Sequence, residues 1–177
     1  CTKVGGRPFW PVGVPWPAAR DGSPLQFVAQ FNFADSVDLV GDDLAQRILV
    51  ILSSEQDDWM YVDNSLTFRW VDRAVEPDRS IQVPSSCGAA GPFFGAIHRA
   101  YDYPDEEAYD AALNAVRSAP YLLPILNATK IGGMPSFTQS EFECDGKFLC
   151  QLSSTQAAND VLWPWVNREE PMTLSFN

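Results

Sequence analysis

The sequence predicts an α+β, β-rich fold in which two related, mostly antiparallel β halves flank an inserted loop and helix. Three observations carry that reading. The heptapeptide Thr2-Lys3-Val4-Gly5-Gly6-Arg7-Pro8 returns as Thr129-Lys130-Ile131-Gly132-Gly133-Met134-Pro135, so T-K-[VI]-G-G-x-P occurs twice. The echo continues in the same order: Asp21-Gly22 and Phe27-Val28-Ala29-Gln30-Phe31-Asn32 are answered by Asp145-Gly146 and Phe148-Leu149-Cys150-Gln151-Leu152-Ser153. Between the copies, the residues from Pro104 to Arg117 carry helical periodicity. Two copies of one supersecondary unit ordinarily bury their apolar faces against each other. Residues 1–177 therefore read as a single domain, with one half over 2–72, a connecting loop and helix over 73–128, and a second half over 129–177.

The first half opens on Lys3-Val4, then a glycine pair, then the run from Pro8 to Pro17, whose prolines forbid a helix and fix an extended, turning path that carries Trp10 and Trp16. Leu25–Phe33 alternates Phe27, Ala29, Phe31 and Phe33 against Gln26, Val28, Gln30 and Asn32, the pattern of a half-buried strand. Asp42–Gln46 reads as a short helix or turn, Arg47–Leu52 as a continuous apolar strand, and Trp59–Val62 with Leu66–Val71 as a pair joined by Asp63-Asn64-Ser65. Residues 73–96 are rich in Pro, Gly and Ala and read as an irregular loop or lid. The helix from Pro104 has Asp105, Glu106 and Glu107 at its positive end, and Ala108, Tyr109, Ala112, Leu113 and Val116 at helical spacing. The second half then runs Gly132-Gly133, Lys147–Leu152, Val161–Val166 and Met172–Phe176, a shortened echo of the first.

A length of 177 residues suits one well-buried domain. The hydrophobic fraction of 46% excludes wholesale disorder, and runs such as Ile48–Leu52 are far too short to span a bilayer, so a soluble chain is expected. A lipidated leading Cys1 is set aside because the first motif begins at Thr2. The four cysteines, Cys1, Cys87, Cys144 and Cys150, form no C-x-x-C pair and have one histidine to accompany them, so free thiols in a reducing cytoplasm are expected, with no metal and no cofactor. A net charge of −11 repels phosphate backbones and anionic headgroups, which excludes nucleic acid and membrane as direct partners and favours a basic protein.

Lys3-Val4-Gly5-Gly6, Pro15-Trp16-Pro17, Pro24–Gln30 and Lys130–Pro135 together resemble the YwqG-like family of bacterial domains of unknown function, over nearly the whole chain. The chain departs from that pattern in its short length and in carrying Asn159-Asp160-Val161-Leu162 where a Gly-Asp-Ala-Gly stretch often stands. The resemblance implies a β-rich fold of two related halves, no established enzymatic activity, and frequent occurrence beside secreted toxin genes as suspected immunity proteins.

Catalytic signatures are missing from the sequence: it holds no G-x-S-x-G elbow, phosphate-binding loop, dinucleotide fingerprint or H-E-x-x-H, and the lone His98 is expected to be structural. The glycine pairs can present N–H groups to an anion beside Lys3 and Lys130, although a glycine pair equally serves a tight turn. Gln30 and Gln151 occupy matched positions and can share a polar ligand, or cross-link loops as buried amides. The acid is uneven: residues 35–63 hold eight carboxylates and residues 102–110 hold five, out of twenty-three. Interleaved aromatics make these windows candidates for steering and anchoring a basic partner. The partner-binding set is Asp57, Asp58, Trp59, Asp102, Tyr103, Asp105, Glu106, Glu107, Tyr109 and Asp110. Two functions follow. The first is a non-enzymatic, cytoplasmic immunity protein that occludes the active site of a co-encoded toxin, with a nuclease the best fit. The alternative is a ligand-binding or enzymatic module with a cleft between the halves, lined by Lys3, Gln30, Lys130, Gln151, Trp10 and Trp16.

Overall fold

The computed structural model describes residues 1–54, 66–83, 92–95, 98–100, 102–103, 105–115, 129–135 and 147–152. The chain divides into two compact units, one holding Cys1–Ile97 with Asp160–Pro164 and the other holding His98–Asn159 with Trp165–Asn177.

In the first unit a five-stranded, wholly antiparallel sheet is built from β1 (Lys3–Val4), β2 (Gln26–Asn32), β3 (Arg47–Ser53), β4 (Leu66–Asp72) and β5 (Phe93–Phe94), in the order β4-β3-β2-β1-β5. The β-branched and aliphatic run of β3 is buried from Ile48 to Leu52 and pairs on both edges, which makes it an interior strand of the sheet. Each such side chain removed from water contributes about 1.5–3 kcal/mol. Between β2 and β3 the chain forms a 310 turn (Phe33–Ser36), then the one-turn helices α1 (Val37–Val40) and α2 (Asp42–Ala45). Asn32 caps the 310 turn by accepting the Ala34 N–H at 3.2 Å.

The alternation expected for 25–33 is interrupted. The register of β2 against β3 shifts between Phe27 and Ala29, so that Phe27 faces Leu52 while Gln30 faces Val50. This bulge moves Phe27 onto the face of Gln30 and away from that of Ala29 and Phe31. Residues 27–31 are all buried, so β2 is covered on both faces and not on one. On the Phe27 face the core is Trp10, Leu25, Phe27, Ile48, Val50, Leu52 and Val71, with Trp16, Val14 and Phe9 packed against it. The proline-rich segment from Pro8 to Pro17 thus lies over this core as a lid. Trp10 donates its indole N–H to the Val14 carbonyl at 2.9 Å, Trp16 donates to the Leu25 carbonyl at 2.7 Å, and the two rings meet at 4.8 Å.

Two further segments complete the sheet. Leu66–Asp72 pairs with β3 along its whole length, while the hairpin partner expected at 59–62 lies outside the described residues. The segment 73–96 is not wholly irregular: Phe93–Phe94 joins the sheet beside β1.

In the second unit α3 (Glu106–Ala115) forms where helical spacing predicts it, and Asp105 accepts the Ala108 N–H at 2.8 Å at its start. The strands β6 (Lys130–Ile131) and β7 (Cys150–Gln151) make an antiparallel pair. The segments expected as strands at 161–166 and 172–176 lie outside the described residues. No helix among the described residues is long and apolar enough to cross a membrane.

Candidate functional site

The two copies of T-K-[VI]-G-G-x-P adopt the same local structure. Lys3 stands opposite Gln30 and Val4 opposite Ala29; Lys130 stands opposite Gln151 and Ile131 opposite Cys150. After each lysine strand the chain turns through two glycines with positive φ, 66° and 71° at Gly5 and Gly6 and 69° and 84° at Gly132 and Gly133, a conformation that side chains resist. The first glycine of each pair donates its N–H back across the ladder, Gly5 to Val28 at 2.9 Å and Gly132 to Leu149 at 2.8 Å. Residues opposite each other in an antiparallel ladder share a face, so each turn presents a lysine beside a buried glutamine.

The surroundings of the two turns differ. In the second, Asp102 brings a carboxylate over the glycines. Its Oδ2 accepts from Lys130 Nζ at 2.6 Å and from the Met134 N–H at 3.1 Å, with both side chains largely buried. Its Oδ1 accepts the Tyr103 N–H at 2.9 Å. A Cβ built on Gly133 would run into that carboxylate. In the first turn the ring of Pro92 lies over Gly6 instead. Lys3 Nζ donates to the backbone carbonyl of Arg7, and the Arg7 guanidinium donates to the carbonyl of Arg79. Burial, helped by the Arg7 charge, holds the Lys3 ammonium below the usual lysine range.

Gln30 is engaged from both ends of its amide: Oε1 accepts the Phe9 N–H at 2.8 Å and Nε2 donates to the Cys1 carbonyl at 2.8 Å. It ties the proline-rich lid to the N-terminal strand. Trp10 is a core ring with 1% of its surface exposed, and Trp16 packs on the same cluster. Lys130 and Gln151 belong to the second unit, Lys3, Gln30, Trp10 and Trp16 to the first.

Of the acidic windows, Asp57, Asp58 and Trp59 lie outside the described residues, as does the side chain of Glu106. Asp105, Glu107 and Asp110 stand exposed on and before α3, and Asp35, Asp38, Asp42 and Asp43 stand exposed around the short helices after β2. Tyr103 and Tyr109 are half-buried and meet edge to face at 5.4 Å, so part of each ring serves to hold α3. Asp102 differs from the other acids of its window, because its carboxylate turns onto Lys130. Val37 and Leu39 are exposed among the first acids, at 43% and 41%. His98 is exposed. No group of three His, Cys, Asp or Glu side chains suited to a metal occurs among the described residues.

Sequence reasoning passed over Arg7 and placed Asp102 in the partner-binding set instead of beside Lys130. Arg7 fills the variable position of the motif, where Met134 stands in the second copy, and alignment of the copies marks that difference. Asp102 is remote from Lys130 in sequence, and no spacing rule links a loop carboxylate to a strand lysine.

The chain matches the family model described as a domain of unknown function, DUF1963, over residues 2–167. It belongs to that family. No curated protein and no solved structure gives a significant match.

Proposed function

We propose that this member of the DUF1963 family is a non-enzymatic immunity protein that binds a co-encoded toxin in the cytoplasm and occludes its active site, the toxin being a basic protein such as a nuclease. The observation that carries the reading is the exposure of the acids: Asp35, Asp38, Asp42 and Asp43 in one window and Asp105, Glu107 and Asp110 in the other all face solvent. With a net charge of −11, such surfaces accelerate encounter with a cationic cleft and imitate the phosphates it binds. Exposed Val37 and Leu39 supply apolar contact beside the first group. The YwqG-like motifs and the matched geometry of the two glycine turns support a duplicated scaffold, with the acidic segments lying outside the repeated motif.

The test is surface plasmon resonance against the protein encoded beside this gene, at two salt concentrations. Charge reversal at Glu107 and Asp110, or at Asp42 and Asp43, is expected to slow association and flatten its salt dependence, since rim charges act over about one Debye length, roughly 8–10 Å. Unchanged rates in both variants, or no binding by the wild type, would overturn the reading.

A further inference from the structure

We propose that the Lys3–Arg7 turn is a binding site for a small oxyanion, a carboxylate or phosphate group, held between the Lys3 ammonium and the Arg7 backbone N–H. The inference is independent of the immunity reading and rests on the chain's own second copy. There the same turn already contains its anion: Asp102 Oδ2 lies 2.6 Å from Lys130 Nζ and 3.1 Å from the Met134 N–H. Lys3 and Arg7 occupy the positions of Lys130 and Met134, on strands of identical pairing and after glycines of nearly identical φ. Successive N–H groups in such a turn form a concavity that favours negative charge.

The first turn has the donors without the acceptor. Among the described residues no carboxylate pairs with Lys3 and no acceptor receives the Arg7 N–H; the ammonium settles for the neutral Arg7 carbonyl. Pro92, which leans over Gly6 where Asp102 leans over Gly133, brings no charge. Arg7 adds a guanidinium where the second copy has an uncharged Met134; the Asp78 carboxylate answers that charge, while no carboxylate among the described residues answers Lys3. Burial first, and then the Arg7 charge, lower the pKa of Lys3. The rest of the protein sharpens the site. A chain of net charge −11 repels anions generally, so an anion that binds does so through local hydrogen bonds and not through a diffuse field.

The experiment uses the whole protein labelled with 13C,15N-lysine and uniform 15N, which has lysines only at 3, 130 and 147. Acetate, inorganic phosphate and chloride are titrated separately. The Lys3 side-chain signals and the Arg7 amide are expected to shift saturably with acetate or phosphate, with the Lys3 pKa rising, while Lys130 stays unmoved because Asp102 already holds it. The stronger of the two responses identifies the ligand class. Lys3→Met is expected to weaken the half-saturating concentration read at Arg7 at least about tenfold, the worth of one charge-assisted hydrogen bond. Asp102→Asn is expected to make Lys130 responsive in its turn. If chloride moves Lys3 as far as the oxyanions do, or if Arg7 responds equally in a folded Lys3→Met variant, the proposal is wrong.

Discussion

Asp102 and Lys130 form a largely buried ion pair at 2.6 Å, and the same carboxylate oxygen receives the Met134 N–H. One side chain thus fixes both the strand and the turn that follows it. Removing one member leaves a charge stripped of water and partner. Asp102→Ala should cost about 3 kcal/mol of unfolding free energy, towards the low end for a broken buried pair because both groups keep some solvent contact. Asp102→Ala with Lys130→Met should cost clearly less than the sum of the single changes. Denaturant unfolding of the three variants checks this, and strict additivity would contradict the pairing.

Gly133 and Gly22 both have positive φ, 84° and 88°, yet a methyl group at Gly133 meets the Asp102 carboxylate while one at Gly22 meets nothing within 4 Å. Gly22→Ala should therefore cost about 1 kcal/mol for the backbone conformation alone. Gly133→Ala should cost more by the displacement of the ion pair, and most of the excess should disappear in an Asp102→Ala background, where only the residue 102 Cβ still crowds the new methyl. Thermal melts of the four proteins decide the point.

Replacing Gln30 by Met keeps the volume but removes both amide bonds, to the Phe9 N–H and the Cys1 carbonyl. An orphaned buried group costs about 1–3 kcal/mol. The loss should be accompanied by faster hydrogen exchange at the Phe9 amide, with exchange across β3 and β4 slowed or quickened only as global stability dictates.

Burial pushes the Cys150 thiol up from 9.0 to about 12, whereas Cys1 is exposed. Cys1 should alkylate readily in the native protein and Cys150 only on unfolding, as peptide mass spectrometry after iodoacetamide treatment would show. The linkage has a definite sign. Above 9 the unfolded chain releases a proton that the folded one keeps, so this contribution is complete below pH 9.0 and declines as pH rises towards about 12. Cys150→Ala should flatten the fall in stability across that window.

What could be read in advance was whatever depended on local pattern. The continuous apolar strand over Arg47–Leu52, the helix around Glu106–Ala115 and the turns at both glycine pairs follow from hydrophobic runs, helix-start acids and residues that tolerate positive φ. Pairing partners were less legible. Leu66–Val71 reads as a strand, but nothing within it says that its neighbour is β3. Phe93–Phe94 is too short, and too close to glycines and prolines, to stand out from a loop. At the candidate site, the matched Lys–Gln pairs were visible as a repeat, whereas the roles of Asp102 and Arg7 depend on contacts between distant segments. Gln30 was legible as a cross-linking amide because buried side-chain amides seek backbone partners.

The register shift at Phe27–Ala29 works like a change of reading frame. Upstream of it, the odd-numbered side chain of β2 packs under the tryptophan lid; downstream, the even-numbered one does. A single insertion or deletion in a regular strand turns every later residue inside out. Here the extra residue is already absorbed, so a one-residue deletion at Val28 would restore regular alternation and leave Phe27 opposite Leu52 and Gln30 opposite Val50, with its two hydrogen bonds on the same face. The bulge is thereby the place in β2 where a residue can be lost without reversing the faces of the strand, while the segment from Val14 to Leu25 is held to its length by the Trp16 indole on the Leu25 carbonyl and the Leu25 N–H on the Pro17 carbonyl.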